Sequence, residues 1–312
     1  MFKFNSDYWA IIIGGSSGFG LATAKKLAVH GMNLCIVHRD RKGAMARIQP
    51  SFDALKATGV NVKIFNTDAL SAEKRTIVLD DLRKTIGDTG KVRMVLHSIA
   101  FGNLKLLAPV NNTEKPFQAK TALSEQLNVT WDDLNTAIDK AFDSGYSSLH
   151  TITNPPQYNN KIFLDQRDFE RTIHAMGSNI VEWVQDIYQR NLFADDARIL
   201  SLTSEGNSIA WRGYAAISAA KAVLESVSRS MAVEFAPYGL RSNVIQAGVT
   251  DTPALKVIPG SDHIKAKSVL RNPFGRLTLP EDVANVIFLM CLDESAWING
   301  TLICVDGGER IA

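Results

Sequence analysis

The first thirty residues admit few folds. A short β-branched run, Tyr8–Ile13, leads straight into Gly14-Gly15-Ser16-Ser17-Gly18-Phe19-Gly20, and an amphipathic stretch continues to about His30. The run is too short for a buried helix and suits a strand. A strand that turns through glycines into a helix gathers backbone N–H groups and a positive helix end at one point, where a diphosphate binds. The spacing is G-x3-G-x-G on Gly14, Gly18 and Gly20 rather than the commoner G-x-G-x-x-G. Gly14, Ser16, Ser17, Gly18, Phe19 and Gly20 are therefore candidate cofactor contacts, although a plain tight turn has the same local sequence.

The chain beyond His30 repeats the pattern. Strands are expected at Met32–His38, Val60–Phe65 and Lys91–His97, with helices around Lys42–Thr58 and from near Ser71. Strand and helix in alternation imply a parallel α/β sheet with helices on both faces and ligands at the strand C-terminal ends. His38-Arg39-Asp40-Arg41-Lys42 ends the second strand, where such folds meet the adenosine ribose. A guanidinium there pairs with the 2′-phosphate of NADP, so Arg39 favours NADPH over NADH. Asp40 competes for the inward position, and a solvated charge run is the plain alternative. Asp68, with Ala69 beside it, either accepts from the adenine amine or caps the helix starting near Ser71. Ser98-Ile99-Ala100 after the fourth strand is small enough for backbone to approach a cofactor closely.

Composition narrows the class. Of 312 residues 46% are hydrophobic, which supports one large core, and the net charge of +2 gives no footprint for nucleic acid. Cys35, Cys291 and Cys304 lie far apart in apolar runs and read as reduced core thiols; no histidine spacing suits a metal. No signal peptide or membrane span is visible, so a soluble cytoplasmic protein is expected.

A second dense stretch is Ser201–Lys221. A β-type run, Arg198–Thr203, ends in a polar turn, and an Ala-rich helix is expected from about Gly213. Tyr214 and Lys221 stand seven residues apart, which returns them to nearly one helix face about 10.5 Å apart along the axis. A phenol and an ammonium there, with Ser204 on the adjoining strand end, would make a proton-donating site. A surface tyrosine and a solvated lysine are the plain alternative.

Together Gly14-x3-Gly18-x-Gly20, Ser98-Ile99-Ala100, Tyr214, Lys221 and Val305-Asp306-Gly307-Gly308 resemble the short-chain dehydrogenase/reductase superfamily. The resemblance implies a single Rossmann-like doubly wound domain over residues 1–312. Ordinary members carry Tyr-x3-Lys, but Ile217 stands four before Lys221. Tyr214-x6-Lys221 and His97-Ser98-Ile99-Ala100-Phe101 instead resemble the divergent branch, the enoyl-acyl carrier protein reductases. Ser204 stands where many of that branch have a second tyrosine, and Ala175 falls near the ordinary family's helix-four asparagine. By the same match Gly248, Val249, Thr250 and Thr252 would meet the nicotinamide carboxamide, and Lys221 the nicotinamide ribose.

Residues of about 103–161, with Asn111-Asn112, Asn154-Pro155-Pro156 and a helical stretch near Thr130–Phe142, form an insertion after strand four. It is either a lid over the acyl chain or a surface excursion. Asp165–Phe193 reads as one long helix, and Pro253–Pro273 as a mobile substrate loop whose Lys256, Lys265, Lys267 and Arg271 would suit an acidic acyl carrier protein. The resemblance implies hydride transfer from NADPH to a trans-2-enoyl thioester, with Tyr214, Lys221 and Ser204 catalytic, and a homotetramer. A carbonyl reductase of the same fold and a non-catalytic NADPH-binding regulator are the alternatives.

Overall fold

The computed structural model describes residues 2–110 and 115–312, so Asn111 and Asn112 lie outside the described residues. One sheet of seven parallel strands organises the molecule, in the order β3-β2-β1-β4-β5-β6-β7. The first half runs β1 (Tyr8–Ile13), α1 (Gly18–Val29), β2 (Asn33–His38), α2 (Met45–Lys56), β3 (Val62–Asn66), α3 (Ala72–Ile86) and β4 (Lys91–His97). The insertion contributes α4 (Lys115–Leu127) and α5 (Trp131–Asp143). Then come α6 (Gln166–Ile173), α7 (Asn179–Gln189), β5 (Phe193–Ser204), α8 (Ala215–Glu234) and β6 (Leu240–Ala247). The chain closes with α9 (Pro253–Lys256), α10 (Ser261–Arg271), α11 (Pro280–Met290) and β7 (Leu302–Val305).

Helices cover both faces of the sheet, which is why the inner strands lack polar alternation. On one face Ile12, Leu34, Ile36, Leu96 and Leu200 meet Leu27, Phe52, Val283 and Ile287 from α1, α2 and α11. On the other, Ile11, Ile13, Val95 and Ile199 meet Leu82, Trp183, Val184 and Leu224 from α3, α7 and α8. A smaller cluster of Ala175, Met176, Tyr214, Ile217 and Ala220 lies at the strand C-terminal ends.

Four expectations from sequence need correction. The long helix over Asp165–Phe193 is broken: a π-turn at His174–Ser178 separates α6 from α7, and Phe193 already begins β5. The break sits where backbone meets backbone, since a Cβ on Gly177 would lie 2.8 Å from the Ala220 carbonyl oxygen. Pro253–Pro273 holds two helices rather than a loop; Thr252 caps the first by accepting from the Leu255 N–H at 3.3 Å. Tyr214 is the N-cap of α8, not part of its body. Cys304 is exposed on the edge strand β7, whereas Cys35 and Cys291 are buried.

The insertion closes on itself. Leu106 pairs with Phe163 in a short parallel bridge, and the Val110 N–H donates to Asn160 Oδ1 at 2.9 Å. Its far end packs on α10, with the Phe142 and His263 rings 5.2 Å apart and Pro156 against Gly260. Among the described residues, no helix is long and apolar enough to cross a membrane.

Candidate active site

A cavity of about 490 Å³ opens at the strand C-terminal ends. It lies where β1 and β4 adjoin and the strand order reverses, the position at which such sheets take ligands. Gly14, Ser16, Ser17, Gly18 and Phe19 line it, with Ser98, Ile99 and Ala100 from the end of the adjoining strand. Gly14 has φ +95°, and a Cβ there would lie 2.4 Å from the Ser98 carbonyl oxygen. A Cβ on Gly20 would lie 2.1 Å from the Gly14 carbonyl oxygen. Gly20 therefore does not line the cavity; its missing side chain lets α1 start against the turn. This cradle, open to the α1 N-terminus, fits a dinucleotide diphosphate.

The adenosine end is built from β2 and β3. Asp40 turns toward buried His38, with Oδ2 and Nδ1 2.9 Å apart. Arg39 points the other way, 45% exposed, its Nη1 donating to Asp68 Oδ2 at 3.1 Å. Asp68 does not cap α3; Ser71 does, accepting from the Lys74 N–H. The Asp68-Ala69 turn is pinned from behind by Trp183, whose indole N–H donates to the Ala69 carbonyl at 3.0 Å.

The reacting end joins β5 to α8. Tyr214 is buried, its ring held between Trp211, 5.2 Å away, and Gly206, where a Cβ would lie 2.6 Å from the ring. Burial pushes the phenol above its usual pKa; the adjacent Ser204 hydroxyl opposes the shift from just outside hydrogen-bonding geometry. Lys221 is buried too, and its Nζ donates to the Leu202 carbonyl at 2.7 Å. Burial pulls that ammonium down to about 8, against the pull of the Glu225 carboxylate. All three side chains face the cavity. Ile217 does not; it packs against Gly102, where a Cβ would lie 2.7 Å from both Ile217 and Thr172.

Of the segment matched to the nicotinamide, Thr252 lines the cavity, while Gly248, Val249 and Thr250 stand behind its wall. The Val249 N–H is already engaged, donating to Glu309 Oε2 at 3.1 Å. Arg271 is not a rim charge: its Nη2 donates to Glu205 Oε1 at 2.6 Å and to Glu309 Oε1 at 3.0 Å. That three-way tie joins α10, the turn after Ser204 and the chain's tail, and sequence reading missed it. Lys265 pairs with Asp262, and Lys267 is exposed on α10 with no ion pair among the described residues. Among those residues, no cluster of side chains has the makings of a metal site.

Comparison with known proteins agrees with this architecture. The family model described as Enoyl-(Acyl carrier protein) reductase matches residues 128–309, and one described as KR domain matches residues 9–159. The chain is 33% identical over 115 residues to a cis-4-hydroxycyclohexanecarboxylate dehydrogenase of Sinomonas cyclohexanicum, covering 37% of this chain and 45% of that one. It is 34% identical over 122 residues to a 1-cyclohexenylcarbonyl-CoA reductase of Streptomyces collinus, covering 38% and 44%. The match thus spans under half the length of either relative. Among solved structures, FabI from Candidatus Liberibacter asiaticus superposes with a TM-score of 0.72 at 19% identity, covering 100% of this chain and 98% of that one. A Burkholderia cenocepacia short-chain dehydrogenase in complex with NADP gives 0.69 at 19%, covering 97% and 98%. The chain belongs to the short-chain dehydrogenase/reductase superfamily, on its enoyl-(acyl carrier protein) reductase-like branch.

Proposed function

We propose that this chain reduces trans-2-enoyl thioesters with NADPH. One observation carries the reading. Tyr214 stands a turn ahead of the position that would face Lys221 most closely, and that nearer position is Ile217, sealed in an apolar cluster against Gly102. A phenol set back in this way suits an oxygen separated by two carbons from the carbon that accepts hydride, as in an enoyl thioester. The bound dinucleotide would supply the hydride. Negative charge collects on the thioester oxygen, and Tyr214 donates a hydrogen bond to that enolate in a buried setting that strengthens the interaction; the α-carbon then takes a proton from solvent, which completes the saturated thioester. Lys221 retains donors beyond the Leu202 bond for the nicotinamide ribose hydroxyls. Ser204 stands by the phenol to polarise the same oxygen. Arg39 would hold the 2′-phosphate while Asp68 turns to the adenine amine. The relative named for a cyclohexenylcarbonyl-CoA supports an acyl thioester as substrate.

The deciding assay sets crotonyl-CoA and crotonyl-acyl carrier protein beside acetoacetyl-CoA, with NADPH oxidation as readout. Enoyl substrates should turn over faster, and Tyr214→Phe should lose about 10²–10³ in kcat with NADPH binding intact. Faster reduction of acetoacetyl-CoA would replace this reading with a carbonyl reductase, which the KR-domain match favours. Arg39→Ala should weaken NADPH by roughly 1.5–3 kcal/mol and leave NADH unchanged, by titration calorimetry. Light scattering tests the homotetramer implied by the family.

A further inference from the structure

Two guanidinium groups lie against the ring of Phe101. Arg39 Cζ lies 4.6 Å from the ring centroid and Arg171 Cζ 4.8 Å from it. Arg39 comes from the end of β2 and Arg171 from α6, so the ring joins the adenosine end of the cavity to the helix after the insertion. The backbone beneath it is fixed. A Cβ on Gly102 would lie 2.7 Å from Thr172 and 3.0 Å from Met176, and the Asn103 N–H donates to Thr172 Oγ1 at 3.1 Å. Phe101 and Arg39 both line the cavity, and Arg171 is not among its lining residues.

We propose that Phe101, whose ring also contacts Arg171, is a positioning residue that sets cofactor specificity by presenting Arg39 to the 2′-phosphate. This rests on the assignment of Arg39 to that phosphate. Without the ring, Arg39 is a long, half-exposed side chain with many rotamers, tied only to Asp68. That carboxylate is the wrong partner in the bound state, because it competes with the phosphate for the same guanidinium. An aromatic face attracts the cation without competing for its in-plane N–H donors. The guanidinium lies over the ring and leaves its edge free for a bidentate phosphate.

The test is a double-mutant cycle read by equilibrium binding of NADPH and NADH, not by turnover. Phe101→Leu keeps bulk and removes the π face; it should weaken NADPH about three- to tenfold, the range of one partly exposed cation–π contact, and leave NADH within about twofold. Phe101→Tyr should restore NADPH affinity. In an Arg39→Ala background, Phe101→Leu should have no further effect on NADPH. Arg171→Gln should give a smaller loss of the same selectivity. If wild type prefers NADPH through Arg39, but Phe101→Leu weakens both cofactors equally or adds fully to Arg39→Ala, the platform is overturned and the phosphate assignment stands. If wild type binds both cofactors alike and Arg39→Ala changes neither, the assignment itself falls and the platform with it.

Discussion

Lys221 is buried as a charge, and that has a cost with a definite pH signature. Its ordinary value of 10.5 falls to about 8 in the folded chain. Between those values the unfolded chain holds the proton and the folded chain does not, so stability of the cofactor-free protein should rise as pH increases from about 8 to 10.5. Below 8 both states are protonated and the penalty is fully present, on the order of 3 kcal/mol. Urea midpoints across this range should climb for wild type and stay flatter for Lys221→Met. Turnover should move the opposite way, falling above about pH 8 as the ammonium proposed to hold the nicotinamide ribose discharges. A second residue-scale expectation concerns Ile217→Tyr, which restores the ordinary Tyr-x3-Lys spacing. Sequence alone makes it a route to ketone reduction, but the residue is sealed against Gly102 and Thr172, so overpacking by about 1–3 kcal/mol and no gained activity are expected. Tyr214, Lys221 and Arg39 were legible because spacing and strand-end position carry them. The Arg271 tie was not, because its partners lie 66 and 38 residues away and no local pattern encodes a meeting in space.

At the scale of elements, strands were read more accurately than helices. A buried parallel strand is a short, mostly apolar block, and β1, β2 and β4 each fit that pattern. Helix continuity is harder: Phe169, Ile173, Met176, Ile180 and Val184 keep helical spacing through the π-turn, so periodicity does not register the break. α11 depends on another feature without local signature. Arg93 and Arg198, both buried, donate to the carbonyls of Met290, Cys291 and Leu292 at its C-terminus, and Arg241 donates to the Ala296 carbonyl. All three converge on Asp196, and against its burial Arg198 and Arg93 hold its carboxyl below the usual range. Asp196→Asn leaves buried cations short of their counter-charge. It should cost about 3–5 kcal/mol, seen as a lower urea midpoint with an unchanged slope.

For the whole molecule, the sheet and its ligand end were legible from alternation alone, while the docking of the insertion was not. Its packing on α10 through Phe142, Pro156 and His263 makes it one unit with the helices beside the cavity mouth. Replacing residues 107–161 with a short linker should therefore raise KM for the acyl thioester and leave NADPH affinity near normal; unchanged kinetics would mark the segment as a surface excursion. The Leu106–Phe163 bridge has a consequence for how the chain folds. β4 and β5 pair side by side, yet more than ninety residues separate His97 from Phe193. Once the stem shuts, the chain between those strands behaves as a much shorter tether, and the entropy of bringing them together falls accordingly. Closure should then precede the central strand pairing. A Phe163→Gly variant, read by stopped-flow refolding, should slow formation of the sheet more than it speeds unfolding.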